Sequence, residues 1–320
     1  MQRRIVDTLL RTEGSILVAC HRTPDGDTLG AGLAVFLWLK GLGKHARVVC
    51  LDPVPGVCRF LPGADDVSDE FGEPPDVFVA VDCASVDRIA PDADDLLRQA
   101  GLVINIDHHA TNPRFGALNF VVDSAGSTSE LIAQMLLESG QRVTKEIADC
   151  LYTGIATDTG QFSFDYTRPE SLRVAARLME CGAAFEDICA RLFRRRTLSK
   201  TALIAAALSS LKLYAGGLAA VLSVPQQVLN AVGATPDECE NIVNYAVEIE
   251  GVEIGILLRE TRDGDWKVSL RSSGTANVAE IARRFGGGGH VKAAGCTLRG
   301  TFEDAERAVV DAAIAAIAAL

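Results

Sequence analysis

Hydrophobic positions in the first half of this chain come as short uninterrupted runs, at residues 15–20 (SILVAC), 46–51 (ARVVCL), 77–82 (VFVAVD) and 102–107 (LVINID). Runs of that length without polar alternation mark strands buried on both faces, as in a parallel sheet. Between the first two lies LGAGLAVFLWLKGLG (29–43), an apolar helix closed by glycines. Strand, helix and strand in repetition predict an α/β domain with a doubly wound, mainly parallel sheet. From residue 127 to about 196 the pattern turns helical, in segments at 127–139, 145–160 and 169–182. The last third reads as a smaller α+β domain with a mixed sheet: strands near 217–224, 252–260 and 265–272, a four-glycine loop at 286–289 and a closing helix. The expected division is a first domain over 1–192, a linker over 193–212 that lacks Pro and Gly and can itself be helical, and a second domain over 213–320.

Composition narrows the classes. A chain of 320 residues can bury two cores without disulfide staples. With 48% apolar and 23% charged residues it is neither disordered, collagenous nor a simple coiled coil. A formal charge of -11 repels duplex phosphates over most of the surface, so a long duplex is not the expected partner. The charge is uneven, however. Residues 65–98 hold eleven acids and two arginines, whereas Arg191, Arg194, Arg195, Arg196 and Lys200 form a run without an acid. That run is either a solvated face or the lining of a cleft, and local basic ground suits a small phosphorylated ligand. Nine cysteines without a CxxC pair indicate no disulfide framework and no cysteine zinc site, which points to a reducing cytoplasm. Asp7, Arg11 and Glu13 interrupt the apolar stretch a secretory signal needs, and no window approaches the roughly 20 apolar residues that span a bilayer. No membrane partner is expected.

Ligands in an open parallel sheet bind beyond the carboxyl ends of the strands. The first predicted strand runs into His21, Asp25 and Asp27; the third ends in Asp82; the fourth ends in Asp107, His108 and His109. Asp158 follows an apolar helix in TGIATDTGQF. Taken singly, each has an ordinary reading: Pro24-Asp25-Gly26 as a turn, Asp27-Thr28 as a helix cap, Asp82 and Asp107 as caps of later helices. Taken together, three strand ends deliver acids and imidazoles to one sheet edge, where unpaired charge is costly without cations. Hard oxygens with a few imidazoles and no thiolate favour Mn2+, or Mg2+, over iron or zinc. The ligands are too many for one ion; two divalent metal ions about 3.5 to 4 Å apart would use them all and activate water for attack on phosphorus.

In the second domain the four glycines sit between AEIARRF and KAAGCTL, a poor place for a hinge. Without a Cβ, their N–H groups can approach a phosphate closely, and with Arg271 and His290 they read as a phosphate or nucleotide clamp. No Lys-Ser or Lys-Thr follows, so this is not a Walker loop. Aromatic residues are only 6% of the chain, so an extended platform for bases is not expected; Phe162, Phe164 and Tyr166 are read first as core packing, with stacking on a base as the alternative.

These motifs together resemble the DHH phosphoesterase superfamily. HRTPDGDTLG is similar to its first motif, Asp82 to the second, Asp107-His108-His109 to the third and Asp158 to the fourth, while RRFGGGGHVKAAG, preceded by Leu270-Arg271-Ser272, resembles the signature of the associated DHHA1 substrate-binding domain. One departure is Gly30-Ala31, where the pattern has Gly-Ser. Within the superfamily the likeness is to the short bifunctional oligoribonuclease and pAp phosphatase (nanoRNase) type. The resemblance implies that His21 and Asp25 hold one metal ion and Asp27 and His108 the other, with Asp82 bridging and Asp158 completing the set. It implies that Asp107 orients a neighbouring histidine. His109 then stabilises the phosphoryl transition state or protonates the leaving oxygen. Arg271, Ser272, Gly287, Gly288, Gly289 and His290 would bind substrate.

The expected reaction is hydrolysis of short RNA or DNA oligonucleotides to mononucleotides, and of pAp to AMP, by metal-activated water. Competing readings are a phosphodiesterase for cyclic or linear dinucleotides, which needs the same metals, and a non-catalytic nucleotide sensor. A family-II pyrophosphatase is disfavoured by the GGGGH segment, and a longer exonuclease of the RecJ kind by chain length. Apolar helices around 128–180 would permit a homodimer.

Overall fold

A computed structural model describes all 320 residues. The chain divides into two compact units, residues 1–195 and 196–320.

Six strands form the sheet of the first unit: β1 (Ile16–Ala19), β2 (Ala46–Val49), β3 (Val67–Ser68), β4 (Val77–Val81), β5 (Leu102–Asp107) and β6 (Leu118–Val121). Every pairing is parallel, in the order β3-β2-β1-β4-β5-β6. The expected α/β sheet is present, widened by two edge strands: β3, which is only two residues long, and β6, whose apolar residues are interrupted by Asn119. Seven helices accompany it: α1 (Gln2–Arg11), α2 (Gly26–Gly41), α3 (Ala93–Gln99), α4 (Thr128–Glu138), α5 (Lys145–Asp158), α6 (Pro169–Glu180) and α7 (Phe185–Cys189). One face of the sheet packs Ile16, Val18, Val79, Ile104 and Ile106 against α2, α4 and α5; the other packs Leu17, Phe78 and Ala80 against Ile89 and Ala93.

Strand order reverses between β1 and β4, and such a switch point opens a crevice at the carboxyl edge of a sheet. Helix α2 starts there. It is buried almost all round, which explains its unbroken apolar sequence. Its Gly30 lies so close to α5 that a Cβ there would come within 2.4 Å of the Cys150 carbonyl oxygen. Close approach of α2 to α5 brings the start of one helix and the end of the other to the same crevice. Of the helices expected to expose apolar surface, α4 and α5 are largely buried, leaving Leu172 and Met179 exposed on α6.

In the second unit six strands, β7 (Lys212–Tyr214), β8 (Ala219–Val224), β9 (Ile254–Glu260), β10 (Trp266–Ser272), β11 (Gly288–His290) and β12 (Ala293–Leu298), form a sheet in the order β11-β12-β10-β9-β8-β7. It is mixed, with β8 and β9 parallel and the other pairs antiparallel. The helices are α8 (Leu198–Ser209), α9 (Gln226–Val232), α10 (Asn244–Val247), α11 (Val278–Arg284) and α12 (Phe302–Ile317). Most of the expected linker is α8, whose Leu203, Ile204 and Ala207 are part of a core with β8, α9 and α10.

The four-glycine loop needs correcting. Gly288–His290 is the edge strand β11, paired with β12 across a two-residue connection, and the Gly287 N–H is spent on the Ala282 carbonyl at 2.9 Å. No helix of the chain is long and apolar enough to cross a membrane.

Candidate active site

β1, β4 and β5 end side by side at the crevice, and each terminus turns a polar residue into it. His21 follows β1. Its Nδ1 donates to the Arg22 carbonyl at 2.8 Å, which leaves Nε2 facing Asp25 Oδ2 at 3.7 Å and Asp82 Oδ2 at 3.5 Å. His108 follows β5 and is fixed in the same way: Nδ1 donates to the Ala125 carbonyl at 3.3 Å, and Nε2 faces Asp82 Oδ1 at 3.6 Å and Asp158 Oδ2 at 3.3 Å.

Asp82 stands between them. It is 3% exposed and adopts a left-handed backbone (φ 58°), a conformation that costs a side-chain-bearing residue about 1 to 3 kcal/mol. The carboxylate is steadied by the Thr128 hydroxyl, which donates to Oδ1 at 2.9 Å. One oxygen thus looks to His21 and the other to His108.

Asp27, in the first turn of α2, accepts from the backbone N–H groups of Thr128 and Ser129 at 2.7 and 2.9 Å, where its charge complements the amino end of α4. The two oxygens keep further lone pairs. Gly154 on α5 leaves the necessary room, since a Cβ there would sit 2.7 Å from Asp27 Oδ1. Asp158 closes α5, and its Oδ2 is buried without a hydrogen-bond partner.

The donors fall into two groups that can each hold a cation: His21 with Asp25 and Asp82, and Asp27 with His108 and Asp158. Asp82 borders both. A third combination of Asp82, His108 and His109 also has metal-ligand spacing. There, however, His109 Nδ1 is occupied by Asp107 Oδ1 at 2.8 Å. Asp107 is fully buried, takes the His108 N–H on the same oxygen and receives the Asn112 amide on the other at 2.6 Å. Asn112 in turn donates to the Cys83 carbonyl and accepts from Asn105. Asp107 therefore orients His109, whose ring is 41% exposed with Nε2 free of the network.

Electrostatics shows what this pocket lacks. Burial, joined by the Asp27 and Asp25 carboxylates, lifts Asp158 to about 8. Burial and Asp27 raise Asp82 well above the usual carboxylate range, and burial raises Asp27. Burial opposes charge on His21, but hydrogen bonds to Asp25 and Asp82 outweigh it and bring that ring to about 10. Protons are thus drawn in where positive charge is missing. Lone pairs of His108 Nε2, Asp82 and Asp158 facing one another across 3.3 to 3.6 Å, with one carboxylate oxygen orphaned, fit divalent cations. By contrast, Asp107 is burdened by burial but held below its usual range by His109 and Asn112, consistent with a permanently charged supporting residue.

A sequence profile of the DHH family, N-terminal domain, matches residues 15–155, and one of the DHHA1 domain matches 220–319. The bifunctional oligoribonuclease and PAP phosphatase NrnA of Thermus thermophilus is 39% identical over 300 residues, 93% of this chain and 88% of that protein. The chain belongs to the DHH phosphoesterase family. An exopolyphosphatase-related protein of Bacteroides fragilis shares its fold with a TM-score of 0.88 at 27% identity, covering 97% of this chain and 95% of that one. The cyclic-di-AMP phosphodiesterase PdeA of Listeria monocytogenes is 26% identical over 95% of this chain, which spans 48% of that longer protein. DHH phosphoesterases use divalent metals, and the Asp/His groups above supply a place for them.

In the second unit, the sheet is covered on one face by α11 and α12, and on the other by α8, α9 and α10 over β8 and β9. The outer half of that second face, on β10, β12 and β11, carries small residues: Ser269, Gly295 and Gly288 lie in one row, and Arg271, Ala293 and His290 in the next. Arg271 and His290 therefore share a face. Ser272 does not. Alternation along the strand turns it to the opposite, buried face, where its hydroxyl donates to Glu253 Oε1 at 3.4 Å, apart from Arg271 and His290.

The sequence reading missed Asn112, Thr128 and the exposed state of Phe164 and Tyr166. Nothing in the local pattern singles out the first two, because their partners are remote in the chain. In the basic run, Arg191 and Arg195 both pair with Asp187, at 2.6 and 3.3 Å, and are exposed.

Proposed function

We propose that this chain is a dimetal phosphoesterase that hydrolyses short oligonucleotides to mononucleotides and pAp to AMP, with Mn2+ as the preferred ion. The observation that carries the reading is the division of Asp82, one oxygen toward His21 of the His21–Asp25 group and the other toward His108 of the Asp27–His108–Asp158 group. His21, Asp25, Asp27, Asp82, His108 and Asp158 are the assigned ligands. When bound, two divalent ions would neutralise phosphoryl charge and lower the pKa of an attacking water.

The protein's own residues do the rest. Both ligand imidazoles are locked with Nε2 inward by carbonyl partners, so no reorganisation is needed at the moment of reaction. Asp107 holds Nδ1 of His109, which leaves Nε2 to donate a proton to the leaving oxygen or to a phosphoryl oxygen. No side chain needs to form a covalent intermediate. In the second unit Arg271 and His290 offer charge and hydrogen bonds to a phosphate over a floor of glycine and alanine.

Purified protein supplied with Mn2+ and given pAp, pApA, an RNA dinucleotide, a 20-mer and pyrophosphate tests this directly. Release of AMP from pAp and of mononucleotides from the dinucleotide, with little from the 20-mer or pyrophosphate, is expected. No release from any of them would favour a nucleotide sensor. The likeness to PdeA favours a second reading, a cyclic or linear dinucleotide as substrate, and turnover restricted to pApA or its cyclic form would select it.

A further inference from the structure

The chain leaves α5 through a turn that side chains ordinarily avoid. Gly160, Gln161 and Phe162 all have left-handed backbones, with φ of 55°, 58° and 65°, although two of the three carry a Cβ. Local hydrogen bonds hold the turn: Gln161 N–H to the Ala156 carbonyl at 2.8 Å, Phe162 N–H to Thr159 Oγ1 at 3.1 Å and Phe164 N–H to the Thr159 carbonyl at 3.1 Å. Its effect is to sort three aromatic residues. Phe162 turns inward beside Tyr152, with ring centres 6.4 Å apart. Phe164 and Tyr166 stay outside, 49% and 40% exposed.

These two rings are fixed rather than loose. Their centres are 5.7 Å apart with planes inclined at 49°. Phe164 lies over Gly160, where a Cβ would meet its Cζ at 2.5 Å. The Tyr166 hydroxyl donates to the Asp158 carbonyl at 2.7 Å, and Asp158 is the residue whose carboxylate joins the Asp27–His108 group. A single exposed aromatic residue is unremarkable on a protein surface. An oriented pair, held by a strained turn and tied to the backbone of a proposed metal ligand, offers ring faces to a flat apolar ligand beside that site.

We propose that Phe164 and Tyr166 form the stacking surface for the nucleobase next to the scissile phosphate. This rests on the phosphoesterase reading and adds a substrate feature to it. Because the Tyr166 hydroxyl is spent on a carbonyl, the surface offers ring faces without hydrogen-bonding groups to read base edges. It therefore requires a base and is indifferent to which one.

Two measurements on the Mn2+-loaded protein decide the matter. Calorimetry compares binding of AMP with that of ribose 5-phosphate, which has the same phosphate and no base. Hydrolysis compares an RNA dinucleotide with its abasic analogue. Wild type is expected to prefer the base-bearing member of each pair, and Phe164→Leu and Tyr166→Leu to reduce each preference about 5- to 100-fold. Leucine keeps apolar cover over the turn, and Tyr166→Phe, which keeps the ring, should retain most of the preference. Equal loss on both members of a pair would make the rings merely structural, and an unchanged preference in the leucine variants would also overturn the proposal. Should the wild type hydrolyse neither substrate, the phosphoesterase reading falls, while the calorimetric comparison still tests the base surface.

Discussion

The two units solve the problem of binding phosphate in opposite ways. At the switch point of the first sheet, Asp25, Asp27, Asp82 and Asp158 are packed around two inward-facing imidazoles, so the site is defined by concentrated charge. On the outer strands of the second sheet, Ser269, Gly288, Ala293 and Gly295 leave a floor almost without side chains between Arg271 and His290. The first arrangement stores electrostatic strain that protons or metal cations relieve; the second concentrates no acids and offers open backbone. Loss of a group should therefore strike chemistry in one unit and affinity in the other.

Asp82→Asn breaks the comparison hardest. It removes the carboxylate that belongs to the His21–Asp25 group and borders His108 of the other, and because the stabilisation at stake is several kcal/mol, kcat should fall on the order of 10^3-fold or more. The metal-free variant should at the same time be at least as thermally stable as metal-free wild type, since a buried, disfavoured charge has been deleted. Full activity in Asp82→Asn would end the assignment. Circular dichroism on the same sample separates lost chemistry from lost fold.

The same strain gives the metal-free protein a definite pH dependence. Asp158, raised from about 3.8 to about 8, stabilises the folded state below the lower value, and that contribution is lost as pH rises toward the upper one. His21, raised from 6.5 to about 10, contributes stability that is complete below 6.5 and disappears as pH passes through 10. Both act in one direction. The melting temperature of chelator-treated protein should fall between pH 5 and pH 8, while the increment given by added Mn2+ should grow, because the ligands must lose their protons to bind it. A flat or rising curve without metal would mean that the acids are not coupled as the geometry indicates.

Asp107→Asn sharpens the picture within the first unit. The amide can still meet neighbouring groups, but it loses the charge that fixes His109 Nδ1, and kcat should drop about 10- to 100-fold. Affinity for Mn2+, followed by calorimetry, should change far less, since Asp107 belongs to neither assigned donor group. An equal loss of metal binding would make it a ligand.

How much of this could be read from the chain differs between the units for the same physical reason. β1 and β4 are fully apolar and β2 and β5 nearly so, because both faces of a parallel sheet are covered, so they and the acids at their ends are visible as runs with punctuation. The edge strand β3 is too short for a period and Asn119 interrupts β6, while the supporting Asn112 touches Asp107 through a turn no local pattern encodes. In the second unit, β11 was hidden because glycine has no side chain with which to show alternation. The motif gives the position of Ser272 in sequence, whereas the pleat, which turns it toward Glu253, decides its face. For Phe164 and Tyr166 composition favours the core over stacking on a base; the left-handed turn that keeps them outside leaves no hydrophobic signature.

Arg271→Ala moves the test to the second face. A lost charge-assisted hydrogen bond to phosphate is worth roughly 1.5 to 3 kcal/mol, so KM should rise about 10- to 100-fold with kcat nearly unchanged. A fall in kcat with constant KM would place Arg271 in the chemistry and erase the proposed division of work.

The glycines give the smallest and most discriminating effects. At Gly287 a Cβ would lie 2.2 Å from the Gly295 carbonyl oxygen and 2.6 Å from Cys296 Cβ, so Gly287→Ala must push β12 aside and should lower the melting temperature. At Gly288 nothing lies within 4 Å of the added carbon and the backbone is ordinary, so neither packing nor conformation demands glycine there. What a methyl group at Gly288 would obstruct is the approach of a ligand to the floor between Arg271 and His290. Gly288→Ala should accordingly leave the melting temperature unchanged and raise KM for pAp several-fold, a shift of about 1 kcal/mol or less. An unaltered KM would mean that substrate does not touch the row of Ser269, Gly295 and Gly288, and that binding on this face is confined to Arg271 and His290.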